Sequence, residues 1–430
     1  MTTALTRSNR KPIRMVHLGL GNFFRAHQAR YTQLAADAAE WGYAAFTVRS
    51  PRQADLLEAQ DCLYTLTENS AAGSDTTVVD QISAVHAGDD IRALRGYLAD
   101  SAVTVVTLTI TEGGYEAADD LAAADVAALT SGGGTPASPL ARLALGLDAR
   151  RAACAGRVAI VSCDNLPDNG AATRNALLAY AAAIPGLAEW IAQNVVFAST
   201  AVDRITPRLG ADEQASLNEQ TGFSDAAPVA SERYAEWVIS GEFPAGRPDW
   251  ESAGAIFTDD VRPFEQRKLQ MLNAAHTILA VAGLRRGLTT VDEAIAHPEL
   301  RALVDAWWEQ AGVLLPEALD AAGYAAALRE RFANPALKHQ LAQIAENMTV
   351  KLQSRVLPVI AARRADGATT PAGIRVLAEW ALAVADGVLP GDATDPSCAA
   401  LALDPDVDRV EFDRALADAN RNIILEGTAC

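Results

Sequence analysis

Apolar residues fall into short runs of five to eight in the first half of the chain, and into helical spacing in the second. The runs at 13–18, 44–48, 103–110, 158–162 and 195–199 are rich in Val, Ile and Thr and apolar on both faces. Parallel strands have this pattern when helices cover both sides of a sheet. Alanine-rich stretches at 29–39 and 171–183 predict helices between the strands. Alternating strand and helix predicts a doubly wound α/β domain. From about Phe264 onward the pattern becomes helical, with predicted segments at 273–282, 291–295, 300–310, 325–332, 337–356 and 374–385. Gly287, Pro298, Gly312, Pro335, Pro358 and Gly367 mark the breaks. The expected architecture is an α/β domain over 1–250 and a mainly α-helical domain over 251–430. Residues 241–249, with Pro244, Gly246 and Pro248, are the expected linker, and Gly132-Gly133-Gly134 an expected flexible loop.

A length of 430 residues is too great for one ordinary core, in keeping with two domains. The formal charge of −18 argues against a nucleic-acid partner, because phosphate binding needs clustered Lys and Arg. Cys62, Cys154, Cys163, Cys398 and Cys430 are scattered, odd in number and without a CxxC pair, so neither a disulfide framework nor a structural zinc site is expected. The first twelve residues are polar, lack the apolar core of a signal peptide and are expected to fray. No window approaches 18 uninterrupted apolar residues. A cytoplasmic protein with no membrane partner is the resulting expectation.

The first strand runs into Val16-His17-Leu18-Gly19-Leu20-Gly21-Asn22-Phe23-Phe24-Arg25-Ala26-His27. Gly19 and Gly21 fit the first two positions of a GxGxxG fingerprint, one for the tight turn and one for backbone approach to a pyrophosphate. The third position is Phe24, so the match is incomplete. The second strand ends Thr47-Val48-Arg49-Ser50-Pro51-Arg52, with no acid before Asp55 to take a ribose hydroxyl. Arg49 and Arg52 suit a 2′-phosphate, or equally form a solvated basic loop, so NAD and NADP both stay open.

The segment Lys268-Leu-Gln-Met-Leu-Asn273-Ala-Ala-His276 is the most informative. On an α-helix Lys268, Leu272 and His276 share one face, and Asn273 lies one step round from it. A Lys whose pKa is lowered by burial can take a hydroxyl proton, while Asn and His hold the oxygen that gains charge. A surface Lys and a core His give the same spacing, so spacing alone leaves both readings open. His276 has no second His or Cys at helical ligand spacing, so no metal site is expected. Three strand ends also carry polar loops: Thr111-Glu112-Gly113-Gly114-Tyr115, Cys163-Asp164-Asn165 and Val202-Asp203-Arg204. Ligands of doubly wound sheets bind beyond such ends, although each loop singly is also ordinary turn chemistry.

Together these stretches resemble the mannitol dehydrogenase family, the polyol-specific long-chain dehydrogenases, over nearly the whole chain. The resemblance implies a Rossmann-type N-terminal domain, a mainly helical C-terminal domain and metal-independent NAD- or NADP-linked interconversion of a secondary alcohol and a ketone. It implies that Lys268 is the general acid/base, that Asn165 and Asn273 polarise the reacting oxygen, and that His276 and Asp203 meet the substrate. Glu265 matches an acid that gates proton exchange between the Lys and solvent. The cofactor is expected against Gly19, Gly21, Asn22, Phe23 and Arg25, and against Arg49, Glu112 and Asp164. Members are often monomers, and a monomer is expected here.

The run Arg331-Phe-Ala-Asn-Pro-Ala-Leu-Lys-His339 and the spacing of Lys351 and Arg355 resemble the fructuronate reductase branch. His339, Lys351 and Arg355 suit a substrate carboxylate or hydroxyls, and equally read as helix-surface charge. Where family members usually carry Asp-Gly this chain has Asn347-Met348, and it is shorter near its C-terminus than typical fructuronate reductases. The mannitol–fructose and mannonate–fructuronate pairs are therefore the leading substrates. A catalytically silent dinucleotide-binding sensor is the alternative, although Lys268 and Asn273 are both retained. A metal-dependent alcohol dehydrogenase would need a Cys/His cluster that the sequence lacks.

Overall fold

The computed structural model describes residues 2–70, 72–115, 119–131, 134–389, 413–414 and 417. Gly132 and Gly133 of the expected glycine loop lie outside the described residues. The chain divides into two compact units, residues 1–69 with 73–262, and residues from 263 onward with 70–72.

The first unit is built on an eight-stranded sheet. Its strands are β1 (Ile13–Leu18), β2 (Gly42–Phe46), β3 (Ile82–His86), β4 (Val105–Leu108), β5 (Val158–Ser162), β6 (Val195–Asp203), β7 (Glu236–Ser240) and β8 (Ile256–Phe257). The order across the sheet is β3-β2-β1-β4-β5-β6-β7-β8. Strands β3 to β6 are all parallel to β1, and β7 returns antiparallel to β6. This is the dinucleotide-binding strand order, extended by β7 and β8. The two faces are buried in separate layers. Met15, Tyr43 and Ala45 belong to one, Val16, Ala44 and Phe46 to the other, which is why the runs read as apolar throughout. A smaller sheet of Val229–Glu232, Tyr64–Ser70 and Gly73–Val79 belongs mainly to the same unit.

Two expectations need correction. Residues 241–249 are not a free linker: Phe243 packs against the core, and Trp250 beyond them is fully buried. Gly241, at φ 148°, passes so near Ala198 that a Cβ would sit 2.8 Å from that residue's own Cβ. The N-terminal segment is not frayed either. Thr3–Ala4 pairs with Phe223–Ser224, and the buried Arg7 guanidinium donates to the carbonyls of Asp61, Asp80 and Ile82 at 2.8 to 3.1 Å. One polar side chain thus gathers carbonyls that loops leave unpaired.

The second unit is helical. Its central helix Ala274–Arg285 is buried from Ala274 through Gly283 and packs against Pro298–Gly312, Leu341–Ile344, Met348–Arg355 and Pro371–Ala385. Its C-terminal end is pinned by the buried Glu379, which accepts from Arg285 at 2.7 Å and Arg375 at 2.9 Å. A third difference from expectation is at 337–356. There the single expected helix is two, Leu341–Ile344 and Met348–Arg355, separated by Asn347 at φ 53°. No helix among the described residues is long and apolar enough to cross a membrane.

Candidate active site

The first unit presents its ligand chemistry where strand order reverses, between β1 and β4. Gly19 leaves β1 at φ 117°, and a Cβ there would lie 2.1 Å from the carbonyl oxygen of Thr109 after β4. Only glycine fits. The amides of Gly19 and Leu20 both donate to Phe46 O at 2.9 Å, and the Thr109 hydroxyl donates to Gly19 O at 2.8 Å, so the turn is tied to both neighbouring strands. Gly21 precedes the short helix Asn22–Ala26, and a Cβ there would meet nothing closer than 3.6 Å. The departure at Phe24 has a structural account. Its buried ring stacks on His17 with centroids 3.5 Å apart, filling the helix–strand gap that a third glycine would close. His17 is fully buried between the hydroxyls of Thr107 and Thr109, and that burial drives its pKa down to about 3.

A cleft of about 850 Å³ opens beyond these strand ends, lined among others by Gly21, Asn22, Arg25, Ser50, Arg52 and Arg208. Arg25 is buried. Its guanidinium donates to Asn22 Oδ1 at 2.6 Å and to Ala227 O, so much of its bonding capacity shapes the cleft. A second cavity of about 300 Å³ is lined by Val48, Arg49, Ile110, Gly113, Gly114 and Arg142, among others. Arg142 is fixed there by donating to Val48 O at 2.9 Å and Pro136 O at 2.7 Å. Glu112 begins the exposed turn Glu112–Gly114 beside this cavity, and Phe23 is half-buried on the short helix.

Asp164 is placed differently from a simple cofactor ligand. Its carboxylate accepts from Ile110 N at 3.0 Å, Thr111 N at 2.7 Å and Tyr115 Oη at 2.7 Å, stitching the loop after β4 to the loop after β5. Burial raises its pKa above the usual value. Asn165, next to it, is exposed. Asp203 is buried at the end of β6 beside Arg204, whose guanidinium is bonded to Glu68, Ala26 O and Glu232 O. Three contributors escaped the sequence reading. Arg142 and Arg208 reach the two cavities from remote segments. The buried Asn169 donates to Asp164 O at 3.0 Å and Thr200 O at 2.7 Å, locking the same loop. In the sequence, Asp168-Asn169-Gly170 shows only ordinary turn chemistry.

In the second unit, residues 268–276 do not form one α-helix. Lys268–Asn273 is π-helical and runs into the helix Ala274–Arg285. Leu272, expected on one face with Lys268 and His276, is buried in the core. An i→i+5 turn holds more residues than an α-turn, which brings Asn273 round toward the side of Lys268. Lys268, Asn273 and Glu265 are half-buried. His276 is buried between Phe332 and His339, with ring centroids 4.6 and 5.0 Å away.

Around His276 the structure gathers the residues of the C-terminal motif. Arg355 Nη1 donates to Asn273 O at 3.1 Å and meets Thr277 Oγ1 at 3.0 Å. Lys351 Nζ donates to Ile344 O at 2.8 Å. Burial lowers the His276 pKa well below the ordinary value, aided by His339 and by the charges of Arg331, Arg355 and Lys351. His339 is lowered by burial and Lys351, and Lys351 by burial and Arg355. The imidazole of His276 is therefore neutral at pH 7, able to hydrogen-bond a hydroxyl, among cations that repel one another. Among the described residues no group of three or more His, Cys, Asp or Glu is placed to hold a metal ion.

A doubly wound unit with a glycine-loop cleft and a helical unit carrying Lys, Asn and His define a class, the secondary-alcohol dehydrogenases. Residues 13–252 match the mannitol dehydrogenase Rossmann domain and residues 260–403 the mannitol dehydrogenase C-terminal domain. The chain belongs to the mannitol dehydrogenase family. It is 36% identical to the polyol:NADP oxidoreductase of Gluconobacter oxydans (strain 621H), over 79% of this chain and 73% of the relative. It is 36% identical to the D-mannonate oxidoreductase of Escherichia coli (strain K12), over 80% of this chain and 74% of that one. The Pseudomonas fluorescens mannitol 2-dehydrogenase, solved in a ternary complex with NAD and D-mannitol, superposes with a TM-score of 0.78 at 31% identity, covering 97% of this chain and 93% of its own.

Proposed function

We propose that this enzyme interconverts a sugar acid and its keto acid, of the mannonate–fructuronate type, with NAD or NADP and Lys268 as general acid/base. The observation that carries the acidic substrate is the concentration of cationic groups around His276: Arg331, Lys351 and Arg355. Mutually repelling cations bind a carboxylate readily, because the anion relieves the repulsion as well as making bonds. The D-mannonate oxidoreductase relative points the same way. A neutral polyol is the second reading. Lys351 and Arg355 each already bond a backbone carbonyl, so both have structural work without a carboxylate.

The first unit fits a dinucleotide. Gly19 leaves no room for a side chain, Gly21 leaves the backbone open, and Arg25, Arg52 and Arg208 line the cleft beyond them. Gly19, Gly21, Asn22 and Phe23 form the phosphate turn, and Arg49 and Glu112 flank the second cavity. When bound, the nicotinamide exchanges a hydride with the substrate carbon. Lys268 takes the hydroxyl proton during oxidation and returns it during reduction. The amide of Asn273 stabilises the oxygen as its charge grows, a role the family resemblance also gives Asn165. Neutral His276 bonds a substrate hydroxyl, Asp203 another, and Glu265 passes the Lys268 proton to solvent.

The test is a screen at 340 nm with chelator present, pairing NADH and NADPH with fructose, fructuronate, tagaturonate and xylulose. Turnover of a ketouronate but not of fructose is expected. Turnover of fructose or xylulose alone would transfer the enzyme to neutral polyols. Lys268→Ala is expected to lower the rate about 10²–10⁴-fold near neutral pH. Near-normal turnover in that variant would remove Lys268 from the mechanism.

A further inference from the structure

The π turn is an unusual backbone to find under a catalytic Lys, and something must hold it. At its end, the amide of Ala274 donates to Leu269 O, five residues back, and to Met271 O. In a regular α-helix it would bond Gln270 O instead. That carbonyl accepts the indole N–H of Trp307 at 2.8 Å, and the next, Met271 O, accepts the indole N–H of Trp308 at 3.0 Å. Both tryptophans are buried neighbours on the helix Pro298–Gly312. Asn273 O in turn accepts from the Thr277 hydroxyl at 3.0 Å and from Arg355 at 3.1 Å. Three carbonyls of one short segment are thus supplied with side-chain donors.

Burying apolar area does not require this arrangement; leucine or phenylalanine would serve. A buried carbonyl without a donor is costly, so donors fixed in place favour the backbone that presents carbonyls to them. If the segment relaxed to an α-helix, its carbonyls would turn back toward the helix axis. The same change would rotate Lys268 relative to Asn273 and His276, since successive residues on an α-helix differ by about 100°. The ring of Trp308 also lies 6.1 Å from Phe332, the ring that packs on His276.

We infer that Trp307 and Trp308 are positioning residues: their indole N–H groups hold the π register that sets Lys268 against Asn273 and His276. This rests on Lys268 being the acid/base. The decisive replacement is β-(3-benzothienyl)alanine at position 307, which puts sulfur where the N–H was and keeps the ring. Trp307→Phe and Trp308→Phe accompany it, with folding checked by circular dichroism. In reduction of fructuronate, or of fructose if that is the ketone turned over, kcat is expected to fall about 10- to 100-fold, the scale on which small misplacements act. KM for NADH or NADPH is expected to stay within about twofold, and the pH profile of kcat to shift. On a Lys268→Ala background the same replacement is expected to cost almost nothing further, because the two act as a unit. Unchanged kcat in the folded isostere, with Lys268→Ala inactive, would overturn the positioning role alone. Equal losses with and without Lys268 would also overturn it. An active Lys268→Ala enzyme would overturn the acid–base reading and this inference with it.

Discussion

Arg355 has two tasks that a substitution can separate. It holds Asn273 O and Thr277 in place, and it adds charge beside His276 and Lys351. If the charge serves a substrate carboxylate, Arg355→Ala removes a charge-assisted bond worth about 1.5–3 kcal/mol, or roughly 10- to 150-fold in kcat/KM. That loss is expected with fructuronate and tagaturonate, and a smaller one, from the structural task alone, with any neutral ketose that is turned over, compared at one pH in one buffer. Equal losses on acids and neutral ketoses would leave only the structural task. At this scale the sequence showed the site where it is local. Lys268, Asn273 and His276 lie within nine residues, so their proximity was legible. Arg331 is visible in the sequence only as part of a motif, because its charge reaches His276 through the tertiary fold. Asp164 was seen as a polar strand end, but its bonds to Ile110, Thr111 and Tyr115 come from another loop, and no local pattern announces them.

Elements were legible where the apolar pattern decided between alternatives. Strands β1 and β5 have the expected bounds, because a buried parallel strand writes its whole length in Val and Ile. Tyr64–Ser70 and Gly73–Val79 went unread, being largely Thr, Ser and other polar residues on a partly covered sheet. The π turn was illegible, since six residues show the same pattern in an α- or a π-turn. The break at Asn347 was hidden for a related reason. Leu341, Ile344, Met348 and Leu352 are all buried and keep helical spacing straight through it. What interrupts the helix is one residue in the left-handed region, which Asn tolerates better than most. That break redirects the chain just ahead of Lys351 and Arg355. Asn347→Ala is therefore expected to destabilise the protein by about 1–2 kcal/mol, the cost of an ordinary residue in that conformation. Asn347→Gly is expected to lie within about 0.5 kcal/mol of the parent. Urea titrations of the three proteins check this. An alanine variant as stable as the glycine variant would mean that packing, not the Asn, sets the break.

Over the whole molecule, three histidines in two units bias stability in the same direction. His17 in the first unit, and His276 and His339 in the second, all have pKa values lowered chiefly by burial. Above pH 6.5 each is neutral whether folded or not, and pH has no effect through it. Between 6.5 and the lowered folded value, the unfolded chain binds a proton that the folded chain refuses. Stability then falls as pH falls, by about 1.4 kcal/mol per pH unit for each fully refusing histidine. For His17 the window runs from 6.5 to about 3, and its surroundings explain why. Its ring faces Phe24, Tyr43 and the hydroxyls of Thr107 and Thr109, with no carboxylate among these partners to welcome the charge. Asp164, with a raised pKa, acts oppositely, taking up its proton earlier when folded. Comparing the parent with His17→Gln cancels that term, since Asp164 is common to both. Urea unfolding at pH 7.5, 6.0 and 5.0 is expected to show a steeper acid loss in the parent by about one proton's slope. Glutamine is itself expected to cost some stability at pH 7.5, because it cannot reproduce the stacking on Phe24, but that cost is constant with pH. Parallel pH profiles for the two proteins would mean that the folded state admits the proton at His17. The buried imidazole between β1 and β4 would then be open to water, and with it the turn at Gly19.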